Sequence, residues 1–202
     1  MTLSARAVCA ARPAARRSLS LLSGIGRMAA AATTGERRWA IKRRRYIPFA
    51  LQHVYDVVVD VDEYRHFVPF CSQSRVTTDL SPTAFEADLA ISFMAFEERY
   101  TSRVTVSPPS RSEASDVDVA SVSASSAAGS PLFASLSSEW TMRAAASVDG
   151  AEHTSVHFEA TFEVRSPLHA NAVALFIDDV ADRQLNAFAE RTASLARGES
   201  KT

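Results

Sequence analysis

At 202 residues, with 47% apolar and 22% charged side chains, the chain has room for one domain with appendages. Its formal charge of −1 hides an asymmetry: residues 1–45 carry eleven Arg or Lys against a single acid, Glu36. The remainder is correspondingly acidic, which argues against a general nucleic-acid-binding face, and no run of eighteen apolar residues is present that would span a membrane as a helix.

Residues 1–35 hold five arginines and no acid among many Ala and Ser, with Arg12, Arg16, Arg17 and Arg27 interrupting every apolar stretch. That is the composition of a mitochondrial transit peptide; a plastid address shares it, and an unaddressed tail is the bland alternative. With Cys9 in this segment, Cys71 stands alone in the domain at 36–198, which excludes an intrachain disulfide framework. The run Lys42-Arg43-Arg44-Arg45, with Arg37 and Arg38, opens that domain. It suits docking on anionic lipid, or is a remnant of transit-peptide composition.

A strand is predicted over 43–49. Val54, Val57, Val58 and Val61 then recur at three- and four-residue steps, the spacing of an amphipathic helix despite its β-branched residues. Tyr64 and Phe67 extend the pattern into a second short turn, which Pro69 ends by forcing Val68 out of helical geometry. Further strands are predicted over 75–80, 85–93, 99–106, 112–119, 136–143 and 156–164. Phe85, Ala87, Leu89, Ile91 and Phe93 alternate with polar neighbours, as do Val156, Phe158, Ala160, Phe162 and Val164. The Ser/Ala-rich stretch around 120–130 reads as a flexible surface insertion. A helix is predicted over 167–197, with Ser166 as N-cap, Pro167 at its first position and Gly198 as its stop. Ala172, Phe176, Val180, Ala187, Phe188 and Leu195 make its apolar stripe.

Four separated blocks resemble the coenzyme Q-binding proteins of the START-like superfamily: Tyr55 to Cys71, with its Val-Pro-Phe-Cys end; Glu97-Glu98-Arg99-Tyr100-Thr101-Ser102 after Met94-Ala95-Phe96; Leu132-Phe133 with Trp140; and Phe158 to His169. Phe70 stands where that family carries Trp, and the 120–130 stretch is a second departure. The resemblance covers roughly 43–196. It implies an α+β helix-grip fold, about seven antiparallel strands curved around a long C-terminal helix.

Catalytic signals are weak. There is no Gly-rich phosphate loop, no Gly-x-Ser-x-Gly elbow and no His-Glu-x-x-His. His153 and His157 lack a third metal ligand. Asp62 and His66 suit a solvated ion pair, Cys71 a small buried apolar residue, and Glu98 with Arg99 either an exposed strand-end pair or an orienting group for a polar head. The inward-facing mixture of Ala87, Ala160 and Ala172 with Phe85, Phe93, Phe162, Phe176 and Val180 fits a packed core or a partly unfilled cavity.

The resemblance implies the cavity, without catalytic residues, metal or cofactor. Coenzyme Q would be its ligand, lined by Phe85, Leu89, Phe93, Tyr100, Trp140, Phe158, Phe162, Phe176 and Val180. Val68, Pro69, Phe70, Leu132 and Phe133 would stand at an entrance touching the membrane. The implied role is non-enzymatic chaperoning of ubiquinone or its late precursors at the matrix side of the mitochondrial inner membrane. It would serve respiratory electron transport and quinone biosynthesis, with their proteins as partners. An aromatase/cyclase-type enzyme of the same superfamily and a ribosome-interacting protein like a bacterial ribosome-association toxin are the rival readings.

Overall fold

A computed structural model describes residues 37–93, 96–128, 130–148 and 150–198; for 93, 96, 127, 128, 146–148, 167–169, 171, 172 and 174–176 it describes the backbone alone. The expected transit segment lies outside the described residues. Seven strands form one antiparallel sheet: β1 (Arg38–Ile47), β2 (Cys71–Ser81), β3 (Ala84–Phe93), β4 (Phe96–Ser112), β5 (Val117–Ala128), β6 (Phe133–Val148) and β7 (Ala151–Val164). Their order is β1-β7-β6-β5-β4-β3-β2, so the first strand closes against the last and the remainder is a meander of hairpins. Helices α1 (Leu51–Val59) and α2 (Tyr64–Phe67), joined by a 3₁₀ turn at Val61–Glu63, interrupt the strands after β1, and α3 (Pro167–Ala196) ends the fold.

Valine-rich α1 has low intrinsic propensity and no side-chain cap, so packing holds it. It buries Leu51, Val54, Tyr55, Val57 and Val58. Helix α2 stops at Phe67 and Val68 turns extended before Pro69, as the proline requires. Pro108 and Pro109 sit inside the long β4 without breaking it. They occupy a bulge where Ser107 pairs with Ser121 and Ser110 with Val119, so β4 has one residue more than β5 and the missing N–H groups fall outside the ladder.

Two expectations are corrected here. The predicted strand at 112–119 is interrupted by a hairpin turn at 113–116 between Ser112 at the end of β4 and Val117 at the start of β5, closed by Asp116 N–H donating to Ser112 C=O at 2.9 Å. The expected flexible insertion at 120–130 is, as far as Ala128, the body of β5, paired to β4 on one side and, as far as Ser125, to β6 on the other. Buried Ala120 and Val122 alternate with outward Ser121 and Ser123, and two flanking ladders satisfy its backbone.

The concave face of the sheet is covered unevenly. Helix α1, the 3₁₀ turn, α2 and the C-terminal half of α3 fill one half. There Val54, Val58, Met142, Val156, Phe158, Leu185 and Phe188 form a continuous core. The other half is spanned by the N-terminal half of α3, with Ile41, Phe162, Val164, Ala170 and Ala181 in a smaller cluster. The buried stripe of α3 therefore runs through Ala170, Ala181, Leu185, Phe188 and Thr192, with Val173, Ile177 and Val180 half-buried. Of the expected stripe, Ala187 and Leu195 are half-buried, while the Ala172 and Phe176 side chains lie outside the described set. Ser166 is extended but makes no capping bond; Gly198 adopts φ +78° and donates to Leu195 C=O at 3.0 Å, closing the helix end.

Candidate functional site

The unevenly covered half encloses a cavity of about 300 Å³ between the sheet and α3. Its walls are overwhelmingly apolar, as expected of a ligand pocket. Strand β3 supplies Leu89 and Ile91; β7 supplies Phe158, Ala160 and Phe162; α3 supplies Val173, Ile177, Val180, Ala181 and Gln184. Trp140 packs on Phe158 and Phe188 with ring centroids 4.7 and 4.6 Å away, forming the floor against the filled half of the core. At the opposite side Phe162 is stacked on Trp39 at 5.5 Å and meets the edge of Phe133 at 5.8 Å.

Small residues make the space. Strand β5 contributes Val122, Ala124, Ser125 and Ser126, and β6 contributes Leu136, Ser137 and Ser138. The β5–β6 ladder ends at Ser125–Ser137. Beyond it β5 stays with β4, β6 stays with β7 and the two strands part. Leu132 and Phe133 line the cavity beside this gap, and Val68, Pro69 and Phe70 line it from the turn between α2 and β2. That turn is held by Cys71 N–H to Val68 C=O at 3.2 Å and by Ser92 N–H to Phe70 C=O at 2.8 Å. Phe70 takes φ +66°, a left-handed conformation that costs a bulky residue about 1–2 kcal/mol.

Leu89, Tyr100, Trp140, Phe158, Phe162 and Val180 are thus brought to one cavity, together with all five expected entrance residues. Phe85 is not: it packs against the main core cluster, and the inward row of β3 reaches the cavity only at Leu89 and Ile91. The side chains of Phe93 and Phe176 lie outside the described set. Sequence reasoning missed Ile41, Val61, Tyr64, Ser102, Ala124 and Gln184 as wall residues. Tyr64 donates its hydroxyl to Val58 C=O, and burial raises its ionisation far beyond the phenol range.

Glu98 departs from the expected exposed pair. Its neighbour Arg99 is exposed and bonded to Glu97 and Gln73, but Glu98 is 5% exposed and lines the cavity. Consecutive strand residues point to opposite faces, so the two separate. The Glu98 carboxylate accepts from the Ser130 hydroxyl and from Leu132 N–H at 3.2 Å, tying the parted β5–β6 end to β4. Arg165 supports that tie by donating its Nε–H to Ser130 C=O at 3.0 Å. Cys71 also faces the cavity; its thiol donates to Gln73 C=O at 3.3 Å, and burial pushes it up.

The remaining polar candidates resolve structurally. Asp62 accepts from Val76 N–H at 2.7 Å and His66 from Arg65 Nε–H at 3.0 Å, rather than pairing with each other. His153 contacts Ala151 C=O, and no cluster of three or more metal-binding groups occurs among the described residues. The basic run is β1 itself: Lys42 pairs with Glu159 at 3.0 Å, Arg43 with Asp178 and Asp182 at 2.7 Å each, and Arg45 with Asn186. Much of its charge is therefore engaged within the fold. No helix among the described residues is long and apolar enough to cross a membrane.

Comparison with known proteins places these features. The family described as polyketide cyclase/dehydrase and lipid transport matches residues 47–189. The chain is 34% identical over 153 residues to the coenzyme Q-binding protein COQ10, mitochondrial, of Drosophila melanogaster, an alignment covering 75% of this chain and 57% of that one. It is 28% identical over 167 residues to the coenzyme Q-binding protein COQ10 homolog B, mitochondrial, of Xenopus laevis, covering 82% and 63%. The chain thus spans less than two thirds of the length of either relative. Among solved structures it is similar to the Zhui aromatase/cyclase from Streptomyces sp. R1128, with TM-score 0.63 at 16% identity, covering 78% of this chain and 94% of that one. That likeness establishes the fold.

Proposed function

We propose, for a chain that belongs to the polyketide cyclase/dehydrase and lipid transport family, non-enzymatic binding of ubiquinone or its late precursors. The observation that carries the reading is the apolar cavity between the sheet and the N-terminal half of α3, floored by Trp140 and walled by Phe158 and Phe162. The names of the Drosophila and Xenopus relatives support quinone as ligand and the mitochondrion as location. The acid-free, arginine-bearing segment 1–35 agrees with that location. The protein would work at the matrix side of the inner membrane. The half-buried rim residues Val68, Phe70, Leu132 and Phe133 would meet the lipid while quinone passes to respiratory or biosynthetic proteins.

The aromatase/cyclase-like fold favours a second reading, cyclisation of a polyketide in the same cavity. A titration separates the two. The full chain is titrated with decylubiquinone, a short-chain ubiquinone, while tryptophan fluorescence is followed, because a quinone on Trp140 quenches it. Saturable one-to-one quenching, with the quinone recovered unchanged, is expected. Absence of saturable binding, or conversion of an aromatic polyketide chain by the purified protein alone, would overturn the proposal.

A further inference from the structure

The polar groups of the cavity are not scattered. Three successive inward positions of β4 are Glu98, Tyr100 and Ser102, followed by Val104 at the floor. Glu98 is an acceptor already serving Ser130 and Leu132. Tyr100 differs: it is half-buried, its ring is part of the wall, and its hydroxyl makes no hydrogen bond among the described residues, so it stands open to the cavity space rather than sealed in the packed core. Burial of the ring raises its ionisation above the ordinary phenol range, with Cys71 and Glu98 adding to the effect. The phenol is therefore neutral, has a proton to donate, and faces an apolar space.

We infer that the Tyr100 hydroxyl seats the ligand by donating to a ring carbonyl, so that the cavity selects an oxygen-accepting head over a bare hydrocarbon. The inference rests on the quinone-binding reading and adds to it an orientation. A carbonyl finds no free donor at Glu98, two residues along the strand and about 7 Å away, because that side chain is engaged by Ser130 and Leu132. It is attracted by the donor at Tyr100. With the carbonyl on Tyr100, the ring lies toward Ser102, Val104 and Trp140. The apolar side formed by Leu136, Val173 and Ile177 is left for the tail, which runs out to Leu132 and Phe133.

Tyr100→Phe removes one oxygen and keeps the ring. Full-chain wild type and variant are titrated calorimetrically with decylubiquinone and with decylbenzene, which has the same tail and no ring oxygen. The variant is expected to bind decylubiquinone three- to tenfold more weakly, the range of one net hydrogen bond, about 0.5–1.5 kcal/mol. It should bind decylbenzene as wild type does. Infrared difference spectra give a second readout: the carbonyl stretch of the quinone bound to wild type shifts to lower frequency than in alkane, and Tyr100→Phe abolishes the shift. Equal weakening for both ligands would assign Tyr100 to packing and overturn the inference, as would an unshifted carbonyl in wild type. An unchanged decylubiquinone affinity in the variant would do the same while leaving quinone binding intact. Wild type that fails to bind decylubiquinone at all would overturn the quinone reading and this inference with it.

Discussion

Tyr64 and Tyr100 enter the fold as neutral phenols, and burial raises the ionisation of both far above the ordinary value near pH 10. Unfolding frees them to ionise at that ordinary value, so above about pH 10 the unfolded chain binds fewer protons than the native one. The slope of unfolding free energy with pH is then negative. Stability from these groups is fully present below about pH 10 and falls above it, by up to about 1.4 kcal/mol per pH unit for each tyrosine. Urea denaturation at about pH 9, 10 and 11 is expected to show a midpoint that drops only above 10, and Tyr64→Phe to make that drop shallower. The comparison is of slopes, because the variant also loses the bond to Val58 C=O. A midpoint that does not fall between pH 10 and 11 would contradict the neutral burial of these side chains. Glu98 shows the limit of reading at this scale. Glu97-Glu98-Arg99 looks like solvent-facing charge in any residue-by-residue view; only the strand's alternation, carried through Tyr100 and Ser102, places it inside.

Legibility at the scale of elements followed hydrophobic contrast. Strands β3 and β7 alternate Phe, Leu or Val with charged residues and could be read directly; α1 could be read from its valine spacing. Strand β5 has only Ala and Ser from 123 to 128, so its two faces differ too little to register as alternation, and its composition imitates a linker. The same small residues open the cavity, so the site was least visible where it is formed. In the N-terminal half of α3 the expected Val180 reaches the cavity wall, while the Ala172 and Phe176 side chains lie outside the described set. Segment 124–128 is part of the sheet rather than a dispensable loop. Ala124→Leu tests the role of small residues in it. Ala124 touches the main core but also lines the cavity, so a leucine here can extend into that space and part of the overpacking cost of about 1–3 kcal/mol should be avoided. The variant is expected to keep its melting temperature and to bind decylubiquinone at least tenfold more weakly, about 1.4 kcal/mol. Ser123→Val, on the outer face, serves as control. Unaltered binding by Ala124→Leu would mean that the ligand does not use the β5 wall.

For the whole molecule, the decisive quantity is the match between cavity and ligand. About 300 Å³ lies at the lower end of the range for sites that enclose drug-sized molecules. It accommodates a substituted ring and a short stretch of tail, not a chain of many isoprenoid units. The other half of the concave face is occupied by α1, α2 and the C-terminal half of α3. On the proposed quinone reading, a long tail would then leave past the rim where β5 and β6 part and stay in the lipid. Hydrocarbon that is enclosed contributes about 0.8 kcal/mol per CH₂, whereas tail left in lipid contributes almost nothing. Affinity measured by partition from vesicles into the protein is therefore expected to rise over the first one or two isoprenoid units and then stay level as the tail is lengthened. Leu132→Asp with Phe133→Asp should slow transfer from the vesicles, because on the proposed reading exit and entry cross these side chains, and should leave the level part of the series level. If affinity instead keeps rising with each added unit up to the longest tail, the chain is being enclosed. The cavity would then have to enlarge on binding, and α3 is the element whose N-terminal half would have to move from the sheet to allow it.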